Sequence, residues 1–76
     1  MSNSHIPLEE MLEDLRITKK EIKEYEDENE VLFKNYQRNR TQIYLNDGRI
    51  LQRKNFVTQL EKIIKEEYPQ YNQEEI

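Results

Sequence analysis

Apolar residues return every three and four positions along the first half of the chain. Leu8, Leu15, Ile22, Asn29, Tyr36 and Ile43 fall in one column of a seven-residue repeat, and Met11, Thr18, Tyr25, Leu32 and Asn39 fall in the other. Taken as the a and d positions of a heptad, the two columns mark a narrow seam along one side of a helix. Pro7 suits the first helical position, where its missing N–H costs nothing, and Glu9 and Glu10 follow where carboxylates favour the positive end of the helix dipole. With no breaker before Asn46, the pattern predicts one long helix over residues 7–45.

A second apolar stripe, made of Phe56, Val57, Leu60, Ile63, Ile64 and Tyr68, predicts a shorter amphipathic helix over residues 55–68, capped by Asn55 and stopped by Pro69. Between the two lies a basic connector, residues 46–54, that opens with Asn46, Asp47 and Gly48. Asn and Gly both accept positive φ, so this is turn chemistry. Either Gly48 ends the long helix and the chain reverses as a helical hairpin, or residues 43–46 and 49–52 pair as a short β-hairpin. Two isolated strands are marginal in water, which favours the helical version. The expected fold class is all-α: a long heptad-patterned helix, a tight turn and a shorter amphipathic helix, forming a helical hairpin within a coiled-coil oligomer. Residues 1–6 read as a disordered tail and residues 69–76 as an acidic flexible one.

A reversal at Gly48 places Leu60 beside Tyr36, Ile63 and Ile64 beside Phe33, and Tyr68 beside Leu32. The expected hairpin core is then Val31, Leu32, Phe33, Tyr36, Ile43, Phe56, Leu60, Ile63 and Ile64. The long helix would reach about 57 Å and the short one about 21 Å at ~1.5 Å per residue, so most of the seam lacks internal cover. Leu8, Met11, Leu12, Leu15, Ile22, Tyr25 and Asn29 are accordingly the expected partner or oligomer interface, with a dimer as the simplest assembly. Asn29 at an a position would pair with its twin in a parallel, in-register dimer.

Composition supports association. The chain has 76 residues, 34% hydrophobic against 37% charged, with no cysteine and His5 as its only histidine. A small chain with so thin a core usually gains stability from disulfides, metals or oligomerisation, and the first two routes lack residues. Alanine is absent and Gly48 is the single glycine, while Asn, Lys, Ile, Tyr and Glu are frequent, which suggests an AT-rich coding sequence rather than a folding choice. No apolar run matches the ~20 residues that span a bilayer, and the N-terminus lacks the pattern of a secretory signal, so an intracellular, cytoplasmic protein is expected.

Charge is sorted along the chain. Residues 9–30 hold ten acids and four bases, residues 34–54 hold six bases and one acid, and residues 55–76 hold five acids and two bases, within a net charge of −4. Arg38, Arg40, Arg49, Arg53 and Lys54, interleaved with Tyr36, Tyr44 and Gln42, are candidate contacts to phosphates and bases. Against this, a pI near 5.0 is unusual for a dedicated nucleic-acid binder. The acidic arm supports the opposite alternative, a DNA mimic that blocks a DNA-binding protein. Catalytic chemistry finds no foothold: no Cys, no phosphate loop and no His or Cys set with metal spacing. Neither a cofactor nor a small-molecule substrate is expected. The reading that results is a small non-enzymatic interaction module, self-associating and acting as a regulator, inhibitor or adaptor of an unidentified partner protein.

Overall fold

The computed structural model describes residues 7–71. Helix α1 spans Leu8–Leu32, a 3-10 turn spans Phe33–Asn35, and helix α2 spans Tyr36–Glu67. All three elements are helical, and no strand occurs among the described residues. Run out straight, 8–67 would extend about 90 Å at ~1.5 Å per residue. The molecule measures 53 × 26 × 15 Å, because the long helical run is bent back on itself at Phe33–Asn35 and its two arms lie side by side in opposite directions.

The bend is made without glycine or proline. Asn35 leaves the helical region with φ −134° and ψ 72°, a conformation open to Asn because its short polar side chain competes with helical hydrogen bonding. Asn39 then donates from Nδ2 to the carbonyl oxygen of Leu32 at 3.0 Å, closing the last turn of α1 from the first turn of α2. Phe33 and Tyr36 stack across the bend with ring centroids 5.4 Å apart. At the other ends, Pro7 is the N-cap of α1 rather than its first residue, and α2 stops at Glu67 because Pro69 disfavours helical geometry at Tyr68.

The expected turn at Gly48 therefore does not exist. Residues 46–54 continue α2 unbroken, and neither the reversal at Gly48 nor a β-hairpin over 43–52 forms. Local turn propensity is a weak prior, overridden here because Ile43, Asn46 and Ile50 present the α1 seam with a continuous helical face. Gly48 has no positive φ, and the space where its Cβ would stand is open.

With the bend fourteen residues earlier, the pairing of arms changes throughout. Met11 and Leu15 of α1 pack on Leu60 and Ile64 of α2 to form the core, with Leu8, Leu12, Val57, Tyr68 and Tyr71 around them. Thus Leu60 and Ile64 meet the start of α1, not Phe33 and Tyr36. Nearer the bend, Ile43 is buried as well. The heptad columns of α1 are the internal contact: Met11, Leu15, Thr18 and Asn29 are buried, and Leu8, Ile22, Tyr25 and Leu32 half-buried. Opposite them runs a second three-four spacing, Ile43, Asn46, Ile50, Arg53, Val57, Leu60 and Ile64, all buried or half-buried.

Leu15 is fully buried in this thin core, so Leu15→Ala should cost about 2–5 kcal/mol in urea unfolding followed by circular dichroism. Gly48→Ala separates the two readings of the chain. Inside a helix, with open space for the methyl group, it should stabilise the dilute protein by about 0.5–1 kcal/mol, whereas at a left-handed helix terminus it would destabilise it.

Candidate functional site

The polar centre of the molecule is an amide pair. Asn29 and Asn46 occupy seam positions on opposite arms, and both are buried. Asn46 Nδ2 donates to Asn29 Oδ1 at 2.9 Å and to Glu28 Oε1 at 3.0 Å, while Asn29 Nδ2 donates to Asp47 Oδ1 at 3.0 Å. Asn46 Oδ1 accepts from Gln42 Nε2 at 3.0 Å and from an Arg49 guanidinium N–H at 3.5 Å. Every buried side-chain nitrogen and oxygen among the described residues has a partner. Asn29, expected to face its twin in a parallel dimer, is bonded to Asn46 of its own chain, which fixes the register of the two arms.

Ionic contacts flank the seam. Arg53 Nε donates to Glu21 Oε1 at 3.1 Å, Lys19 reaches Glu61 at 3.2 Å, and Lys54 reaches Glu26 at 3.5 Å. Both Arg49 and Arg53 also lie over the Tyr25 ring, 5.8 and 5.0 Å from its centroid. These are partly exposed pairs worth roughly 0–1 kcal/mol each, more useful for alignment than for stability. On the open surface of α1, a hydrogen bond from the Arg16 guanidinium holds the Glu13 carboxyl below its ordinary pKa. What that pair contributes is present at neutral pH and lost as pH falls through the carboxylate range.

The basic segment is thereby largely spoken for. Of the five candidate phosphate contacts, Arg49, Arg53 and Lys54 touch α1, and Arg38 and Arg40 stand near the bend. Arg40 lines a concavity of about 390 Å³ with Phe33, Tyr36, Thr41, Ile43, Tyr44 and Asp47.

The structure places the two sets of apolar site residues differently from the expectation. Met11, Leu15 and Asn29, expected at a partner interface, are interior, with Leu8 and Leu12 packed around them and Ile22 and Tyr25 half-buried. Val31, Phe33, Tyr36, Phe56 and Ile63, expected in the core, are exposed, whereas Ile43, Leu60 and Ile64 are buried and Leu32 is half-buried.

Reasoning from sequence also missed a surface. The side of α2 that faces away from α1 carries Thr41, Tyr44, Gly48, Leu51, Asn55 and Gln59 along its centre, with Leu45, Gln52 and Phe56 beside them. None of these is charged, in a chain 37% charged overall. Tyr44 is 77% exposed, Leu51 62% and Leu45 48%. Around Gly48 they leave a notch of about 360 Å³, lined by Tyr44, Leu45, Leu51 and, at its edge, Asp47. The signal was present as the three-four spacing of Thr41, Tyr44, Gly48, Leu51 and Asn55, hidden because Gly48 was assigned to a turn. No helix among the described residues is long and apolar enough to cross a membrane.

Compared with protein-family models, with curated proteins and with solved structures, the chain matches none.

Removing one amide should be worse than removing both. Asn46→Leu alone leaves the buried Asn29 Oδ1 without its donor and should cost about 1–3 kcal/mol. Asn29→Leu with Asn46→Leu should recover most of that loss in chemical denaturation, because an apolar pair replaces the polar one.

Proposed function

We propose that the protein is a small non-enzymatic interaction module that docks other polypeptides through the outward face of α2, associating in coiled-coil fashion and serving as a regulator or adaptor of a partner protein. The observation that carries this reading is the uncharged, apolar strip centred on Gly48, with Tyr44, Leu45 and Leu51 left exposed. Scattered surface leucines are ordinary, but a contiguous apolar strip on a small, highly charged protein marks a binding surface. Its helical spacing suits an amphipathic helix laid alongside.

The α1 seam, spent on α2, is a poor candidate for the same task. A partner reaching Met11 and Leu15 would first have to part them from Leu60 and Ile64, at the cost of the core. Within this proposal the protein acts in the cytoplasm, and the acidic surface of α1 keeps the complex soluble.

Affinity capture from the native cell, with mass-spectrometric identification, tests the docking face. Proteins held by the wild type and by Lys23→Glu, a control on exposed α1 surface, should be lost with Leu51→Lys. Equal retention by the wild type and Leu51→Lys would remove this face from the function.

A further inference from the structure

We infer that the occupant of the outward face of α2 is a second copy of the chain, packed antiparallel with the two-fold axis at Gly48. This rests on the docking role of that face and adds the identity and geometry of what docks. A two-fold contact requires a self-complementary surface, in which each residue meets the counterpart of its own partner. The sequence about Gly48 has this property: three positions away on either side stand Leu45 and Leu51, seven away Thr41 and Asn55, eleven away Gln37 and Gln59. Gly48 at the crossing lets the two helices approach closely, and the notch beside it, bounded by Tyr44, Leu45, Asp47 and Leu51, receives a leucine of the other copy.

Area and charge agree with this occupant. With about 200 Å² for a fully exposed large side chain, Tyr44, Leu45, Leu51, Phe56 and Ile63 offer on the order of 500 Å² of apolar surface on each copy. A standard interface takes about 800 Å² per partner, and the uncharged Thr41, Gln52 and Asn55 add to that apolar surface. Antiparallel packing also carries Arg38 and Arg40 of one copy away from those of the other. Parallel packing would stack the basic groups on each other, an arrangement that costs free energy.

The chain has no cysteine, so single introduced thiols report the geometry directly. Under mild oxidation Gly48→Cys should give a disulfide-linked dimer on non-reducing gels. Thr41→Cys alone should not link, since two such residues stand roughly 21 Å apart along the axis at ~1.5 Å per residue. Mixed with Asn55→Cys, it should. Sedimentation of the wild type should show a dimer at high micromolar concentration that Leu51→Lys converts to monomer with unchanged helicity. Self-linking by Thr41→Cys would overturn the antiparallel geometry. A monomeric wild type with no Thr41–Asn55 link would overturn the second copy as occupant, and this holds even if Gly48→Cys fails to fold. Docking itself fails separately, when capture of cellular partners proves indifferent to Leu51→Lys.

Discussion

Met11 and Leu15 pressed against Leu60 and Ile64 hold the two arms of this molecule together at the end away from the bend. Few other apolar groups are fully buried, and a chain of this size has little stability to spare. Burying each such side chain is worth roughly 1.5–3 kcal/mol, so this contact opposes the entropy of ordering two long helices. Its position matters as much as its size. A bend at one end and an apolar clamp at the other leave the middle to be aligned by polar groups, which is the work of Asn29, Asn46 and the flanking ion pairs.

The amide pair shows how a costly group can be useful. Two buried asparagines contribute less stability than two leucines, but shifting one arm by a turn would leave several buried donors and acceptors unmatched. Apolar side chains tolerate such a slip far better. The axial alignment of the two arms is thus set by hydrogen bonds, while the three-four stripe of α2 that packs on α1 leaves Tyr44, Leu45 and Leu51 on the outer surface.

The outer face has an unusual economy. Gly48 weakens the helix that contains it, and nothing inside the monomer uses the space its missing side chain leaves. The same surface avoids charge over five turns of helix, from Thr41 to Gln59, although charged residues crowd its flanks.

Heptad spacing from Leu8 onward was enough to establish helix and the inward side of α1 as far as Leu32, because an amphipathic period survives whatever covers it, but the columns ran on through the bend, where Tyr36 is exposed. The end of α2 before Pro69 was legible for a similarly local reason. Which surface covers the seam was not, because that depends on where the chain turns. Asn46, Asp47 and Gly48 carry the stronger turn signal, yet the chain turns at Asn35, where a single non-helical residue brings two complete seams into contact. A turn at Gly48 would have left Met11 and Leu15 in water, and the free energy of burying them outweighs the preference of a few residues for a turn. Local sequence determined the helical period and its faces; only the tertiary contact decided which face became core and which was left exposed.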